Sequence, residues 1–325
     1  MLRYLAYFTQ RLIQVIPIAL LIILANFFLL KLAPGDIADV MAGEMGAATP
    51  ELMDTLRQQF GTDLSLPMQL LHYYAKLLRF DLGYSFRNGM SVAALIADRL
   101  PATVLLAGAS LLLASLIGVT LGWLSANTRR NWLKNTISAF TTVGFATPLF
   151  WIGLMLIVLF SIHLRWLPTG GVEDVDAEYE GYARVLDVIR HMIMPVLSLT
   201  FFYLAIYARI TRTAIKDVQR LDFVRTAQAK GLSPARVSVV HVLRNALLPV
   251  VTVTGMQIGS ILSGSVVVET VFAWPGLGRL AFDAVMQRDL NLLLGILFCS
   301  SLVVMLTNIV TDLVYASLDP RIELK

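Results

Sequence analysis

The stretch "LDFVRTAQAKGLSPARVSVVHVLRNALLPV", residues 221–250, is basic, gathers small residues around Gly231 and runs directly into an apolar segment. On a helix turning about 100° per residue, Phe223, Val224, Ala227 and Gly231 fall on one face, with Asp222, Arg225 and Ala229 opposite. Glycine suits the left-handed position that ends a helix. Ser233 can then cap a second helix, and Pro234 suits its first turn. The stretch therefore predicts helix, glycine break, helix, lying at a surface with a narrow apolar stripe rimmed by charge. Such a stripe is too short to cross a bilayer but fits a partner's groove. Ala227 and Ala229 would let a partner's backbone come close. The same pattern also fits an ordinary basic loop folded on a membrane surface, where each Lys or Arg near anionic headgroups gains about 1 kcal/mol.

What flanks this patch is built for lipid. The chain has 325 residues, 57% hydrophobic and 15% charged, with mean hydropathy +0.72. A soluble domain carries about 25% charged residues, so the deficit indicates a polytopic membrane protein. The formal net charge is +4. That excess sits mostly in short loops, which makes it a topology signal rather than a nucleic-acid footprint. Crossing a bilayer takes roughly 20 apolar residues per helix. Six segments meet or approach that length: 12–30, 102–124, 137–162, 192–208, 247–268 and 290–315. The fourth is short and holds Pro195, and flanking residues could extend it. The first is longer than the ~7–15 residues of a signal-peptide core, and is read as a retained first membrane helix.

Loop charge sets the orientation. Residues 125–135 carry Arg129, Arg130 and Lys134 with no acid. Residues 209–246 carry Arg209, Arg212, Lys216, Arg220, Arg225, Lys230, Arg236 and Arg244 against Asp217 and Asp222. Residues 163–191 instead hold Glu173, Asp174, Asp176, Glu178, Glu180 and Asp187. Lys and Arg stay on the cytoplasmic side. Both basic loops and both termini are expected inside, with 31–101, 163–191 and 269–289 outside. In the long outer segment, "TPELMDTLRQQFG" predicts a helix with Thr49 as cap and Pro50 first. "PMQLLHYYAKLLRFD" predicts another, with Leu70, Leu71, Tyr74, Leu77 and Leu78 on one face. Together they suggest a small ordered external cap.

Polar groups at membrane depth are the candidates for a pore. In "TVTGMQIGSILSGS" these are Gln257, Ser260 and Ser263, beside Thr252 and Thr254. Gln257, Ser260 and Gly264 share a face that should meet either a pore or another helix. Asn308 and Asp312 lie four apart in the last span, with Asp312 read as a solvated or paired inner end. Pro275, Gly276 and Gly278 make a turn in "FAWPGLGRL", where Phe272 and Trp274 suit either an outer-gate element or an aromatic belt. His72, His163, His191 and His241 are scattered without metal-ligand spacing, so no metal site is expected. Cys299 is read as a small packing residue. The chain has no phosphate loop of the G-x-x-x-x-G-K-[ST] kind and no catalytic constellation, so it is not expected to hydrolyse ATP itself.

"RTAQAKGL" followed by "NALLPV" resembles the cytoplasmic EAA loop of bacterial ABC importer permeases, with Gly231 and Leu248-Pro249 in the matching places. The glutamate that names the pattern is absent; Thr226, Ala227 and Ala229 stand around its position. "LAPGD" (32–36), "FDLGYSF" (80–86), "RLPATV" (99–104), "WLPTGG" (166–171), "RHMIMPVLSL" (190–199), "ETVFAWPGLGRL" (269–280) and "LDPRI" (318–322) extend the likeness over nearly the whole chain. They resemble the dipeptide/oligopeptide/nickel branch, and its first (B-type) transmembrane subunit in particular.

The resemblance implies a six-helix, all-α type I importer permease fold in the bacterial inner membrane. It implies three kinds of protein partner: a second permease subunit, two ATP-binding subunits that hold ATP and Mg2+, and a periplasmic substrate-binding protein. No cofactor is implied in this chain. It makes Asp222, Phe223, Arg225, Thr226, Ala227, Ala229, Lys230 and Gly231 the coupling site for an ATPase, with Phe223, Ala227 and Gly231 nearest the contact. It suggests that Phe272, Trp274, Pro275 and Gly276 sit near the outer gate. The cargo implied is di- or oligopeptide, with nickel or cobalt chelates and glutathione-like molecules as alternatives. A passive channel would leave the basic loop without a motor. An intramembrane hydrolase would need a histidine beside the serines of the fifth span, which has none.

Overall fold

The computed structural model describes residues 2–32, 49–60, 62–177 and 179–318, with side chains described except at 2–12, 15, 56, 59, 60, 175, 260–264, 312 and 314–318. The motifs at 32–36 and 318–322 thus fall almost wholly outside the described residues. The helices are α1 (Leu2–Leu32), α2 (Pro50–Phe60), α3 (Leu66–Leu78), α4 (Val92–Asn127), α5 (Asn131–Ala146), α6 (Leu149–Leu156), α7 (Gly181–Val218), α8 (Asp222–Ala229), α9 (Pro234–Arg236), α10 (Arg244–Ala246), α11 (Leu248–Gly264), α12 (Val266–Val271), α13 (Leu277–Met286) and α14 (Leu290–Leu318). π-helical turns carry α6 on through His163 and join α9 to α10.

Among the described residues, three helices are long and apolar enough to cross a membrane: Val92–Asn127, Gly181–Val218 and Leu290–Thr311. Two bent pairs bring the number to five if each is one span, and α1 adds a shorter apolar stretch, Ile16–Leu32. The expected span at 137–162 is not one straight rod. It breaks between α5 and α6 with a 102° bend. Thr147 is extended (ψ 129°) and Pro148 begins the next helix. Proline clashes with a helical residue before it and has no N–H to continue the ladder. Pro195, by contrast, sits inside the 38-residue α7 without ending it. The short fourth segment is therefore the core of the longest helix. There, packing on both sides outweighs one lost hydrogen bond.

The chain divides into two compact units. The larger consists of Met1–Phe8, Leu100–Arg279 and Val304–Lys325. Its core joins α4, α7, α11 and α12 through Leu106, Leu111, Met194, Leu199, Leu204, Tyr207, Val250 and Phe272. The α4–α7 crossing is close. A Cβ on Gly122 would lie 2.6 Å from the Ala208 carbonyl oxygen, and one on Gly118 2.5 Å from Cβ of Tyr207. Glycine here lets two backbones meet.

The smaller unit is Thr9–Arg99 with Leu280–Val303. Both helices expected in the outer segment are present. The Thr49 hydroxyl accepts the Leu52 N–H at 3.3 Å, and Pro50 opens α2. The face expected for α3 is split, however. Leu77 is buried with Ile23 and Phe298, whereas Leu71 and Leu78 are exposed. A two-stranded hairpin pairs Tyr84 with Ser91 and Ser85 with Met90. The buried Asp289 fastens it: one carboxylate oxygen accepts the Ser85 hydroxyl, and the other accepts the Leu292 N–H at the start of α14, 3.1 Å away.

Candidate functional site

Helix α8 occupies Asp222–Ala229, Lys230 closes it, and Gly231 takes φ +77°. The Gly231 N–H reaches the Gln228 carbonyl at 2.9 Å, and the Leu232 N–H reaches that of Ala227 at 3.4 Å. These bonds satisfy carbonyls that the helix end leaves open. Ser233 then caps α9, its hydroxyl accepting the Arg236 N–H at 3.4 Å, and Pro234 follows. The short element is thus punctuated by its own sequence.

The apolar face of α8 points into the chain. Val224 (1% exposed) and Ala227 (6%) are buried with Ile215, Val237, Val242 and Ala246. Phe223, Arg225, Thr226, Ala229, Lys230 and Gly231 are exposed, as is Asp222. This corrects the placement of Ala227 nearest a partner: its methyl is already used to seat the helix on α7. Phe223 and Gly231 remain open. Asp222 and Arg225 lie 3.6 Å apart in an exposed pair, which contributes little on its own.

A polar chain ties this element to α4. Trp123 donates its indole N–H to the Ser238 hydroxyl at 3.0 Å. Ser238 donates to the Asn127 side-chain oxygen at 3.3 Å, and the Gln219 amide reaches the same oxygen at 3.0 Å. Sequence reasoning missed these four residues. Each is an unremarkable polar residue at a helix end or in a loop, and only the fold brings them together. Through these bonds and the packing on Ile215, α8 and the turn after α9 are attached to the ends of two long helices, α4 and α7.

The second locus is the turn after α12. Phe272 and Trp274 are 1% and 0% exposed. That excludes the aromatic-belt reading, since a belt residue keeps one edge at the bilayer surface. The Trp274 indole N–H donates to the Ala102 carbonyl at 2.9 Å. The Phe272 carbonyl accepts the Gly171 N–H at 2.8 Å, so "WLPTGG" and "FAWPGLG" are two halves of one knot. Its centre is Glu269, fully buried. One carboxylate oxygen takes the hydroxyls of Thr103, at 2.9 Å, and Ser265; the other takes the Arg279 N–H at 2.9 Å. Thr103 in turn accepts the Leu277 N–H at 2.7 Å. A Cβ at Gly276 would lie 2.3 Å from the carboxylate carbon, so only glycine leaves room. Pro275 is half-buried in the same turn. The sequence signal for Glu269 was a carboxylate among apolar residues with glycines following.

Of the pore candidates, Gln257 is half-buried; the side chains of Ser260 and Ser263, like that of Asp312, lie outside the described residues. The neighbouring face of α11 is a packing face. A Cβ at Gly255 would lie 2.1 Å from Thr311, and one at Gly259 would lie 3.2 Å from Val304. Thr252 and Thr254 return their hydroxyls to the carbonyls of Leu248 and Val250, which satisfies them within their own helix.

The arrangement is that of an ABC-importer membrane subunit. The structure of the MetNI methionine ABC transporter in inward-facing conformations aligns with TM-score 0.56 at 16% identity, covering 69% of this chain and 96% of that one. An amino acid ABC transporter solved with histidines gives TM-score 0.53 at 17% identity, over 69% and 94%. The chain belongs to the family described as binding-protein-dependent transport system inner membrane component, which matches residues 118–324; the N-terminal companion family matches 1–107. It is 39% identical to the oligopeptide transport system permease protein AppB of Bacillus subtilis (strain 168), over 98% of this chain and 99% of that one. It is 38% identical to the di/tripeptide transport system permease protein DppB of Pseudomonas aeruginosa (strain UCBPP-PA14), over 98% of each. It is 36% identical to the dipeptide transport system permease protein DppB of Escherichia coli (strain K12), over 99% of each. The protein is thus a permease subunit of the bacterial inner membrane.

Proposed function

We propose that this chain is the first transmembrane subunit of an ATP-driven importer of di- and oligopeptides, forming half of a pore with a second permease subunit. Two ATPase subunits, which hold ATP and Mg2+, lie beneath it, and a periplasmic binding protein delivers the cargo. The observation that carries this reading is the α8–Gly231–α9 element. It is seated by Val224 and Ala227 on α7 and hydrogen-bonded to α4, with Phe223, Arg225, Thr226 and Lys230 left open. Closure of the ATPases on ATP favours one state of the membrane helices over another, and the element passes on that difference. The names of the relatives support peptides as cargo. In a strain lacking this chain, growth on defined di- and oligopeptides should fail and return with the cloned chain, while uptake of labelled nickel stays unchanged. Loss of nickel uptake with peptide growth intact would overturn the cargo.

The six-span count, with both termini inside, belongs to the same proposal and rests on the loop charges. With Cys299 replaced by serine, a cysteine at Arg236 should react with an impermeant reagent only from inside, and one at Asp176 from outside. The reverse pattern would invert the topology.

A further inference from the structure

Asn127, the last residue of α4, joins three elements at one atom. Its side-chain oxygen accepts the Gln219 amide at 3.0 Å and the Ser238 hydroxyl at 3.3 Å. Gln219 closes α7, and Ser238 lies in the π-helical run Val237–Leu243 that follows α9. The donors settle which way each group points. The indole nitrogen of Trp123 can only donate, so Ser238 accepts there, at 3.0 Å, and turns its own proton to Asn127. The Asn127 amide N–H2 is taken up by the Trp123 carbonyl at 2.9 Å, one turn back in the same helix. That leaves the oxygen free for its two donors. Among the described residues, these are the hydrogen bonds that join residues 219–246 to α4. The rest of the support for α8 is different in kind. Of its eight residues, Val224 and Ala227 are buried, and they rest with Ile215 of α7. Trp123 and Ala126 of α4 pack against the same cluster. Apolar packing is non-directional, so a short helix seated on two side chains can rock about that line. Hydrogen bonds are directional, and those at Asn127 hold the following run from a second helix. Support on two helices fixes the tilt of α8, where support on one does not.

We propose that Asn127 is a positioning residue for coupling. It clasps the run after α9 to the ends of α4 and α7 together, and so keeps the open face of α8 from rocking. A push at Phe223 then moves the long helices instead of turning the element on its seat. The proposal rests on the transporter reading above, with α8 as the coupling element.

The test compares Asn127→Leu with Asn127→Asp in the transporter assembled with its ATPases and binding protein in lipid vesicles. Leucine suits a helix better than asparagine but has no acceptor. Aspartate keeps the acceptor oxygens, loses the amide that bonds the Trp123 carbonyl, and sets a negative charge at a helix C-terminus, where it is unfavourable. A role confined to folding therefore ranks leucine at or above aspartate, and a role in positioning ranks them the other way. The readout is peptide imported per ATP hydrolysed, with melting temperatures measured alongside. The expected result is a several-fold fall in that yield for Asn127→Leu and a yield close to the parent's for Asn127→Asp, whichever melts first. Ser238→Ala should share part of the loss, and adding it to Asn127→Leu should cost nothing further, because both act on one clasp. A parental yield in Asn127→Leu overturns the proposal. So does a loss in Asn127→Asp as deep as that in Asn127→Leu, or losses that add in the double variant. A photo-crosslinking side chain at Phe223 keeps the two readings apart. Absence of an ATPase crosslink in the parent sinks the coupling reading, whereas a crosslink present in both parent and Asn127→Leu, with undiminished yield per ATP, sinks the role of Asn127 alone.

Discussion

Gly231→Pro abolishes uptake while leaving the chain inserted in the membrane; this is the first of two large effects expected. Gly231 sits at φ +77°, and proline is locked near −65°. Its N–H bonds the Gln228 carbonyl at 2.9 Å, and proline has none to give. A proline misplaced in this way costs about 3 kcal/mol or more, which is roughly two powers of ten in the population of the intact element. Because a Cβ at 231 meets nothing within 4 Å, the effect is one of backbone angle and not of bulk. A graded series follows. Asparagine, which tolerates the left-handed region, should keep most uptake. Alanine should lose part, at a cost of about 1–2 kcal/mol. Proline should lose all. ATP hydrolysis by the assembled transporter should persist in the proline variant without responding to loaded binding protein. Normal uptake in that variant would refute the assignment of 221–236 as the coupling element.

Glu269→Ala should be the most destabilising single change. It removes the acceptor of the buried Thr103 and Ser265 hydroxyls and of the part-buried Arg279 N–H. Each donor stranded there costs about 1–3 kcal/mol, and the void beside Gly276 adds to it. Glu269→Gln should cost less: with its oxygen toward the Arg279 N–H, its N–H2 can donate to the Thr103 and Ser265 hydroxyls, which accept as well as donate. Gly276→Ala should fail for the complementary reason, by pushing a methyl into the carboxylate. Thermal unfolding of the purified chain in detergent checks all three. A melting temperature for Glu269→Ala within a degree or two of the parent would mean that the knot holds without its centre.

Local punctuation was legible in the sequence wherever a single residue dictates geometry. Thr49 and Pro50 mark the start of α2, Gly231 ends α8, and Ser233 with Pro234 opens α9. Pro148 broke a segment whose apolar run looked continuous, because hydropathy reports thickness and is blind to direction. Pro195 did not break its helix, because packing along α7 outweighed local preference. Less legible was which side of an amphipathic helix faces its own chain. Val224 and Ala227 lie close to Phe223 on the wheel, yet the first two are buried and the third is open. Leu71 and Leu77 separate in the same way. That choice depends on where distant helices run, which no local period encodes. The Glu269 knot and the Trp123–Ser238–Asn127 chain were invisible for the same reason, since their partners lie more than 100 residues apart.

The claim on which the account turns is that motion reaches the membrane helices through the open face of α8. A photo-crosslinking side chain in place of Phe223, in the transporter assembled with its ATPases, binding protein and peptide, tests it most directly. The predicted result is a crosslink to an ATPase subunit whose yield changes when ATP is added. A crosslink only to lipid, or one to the ATPase with a yield indifferent to nucleotide, would contradict it.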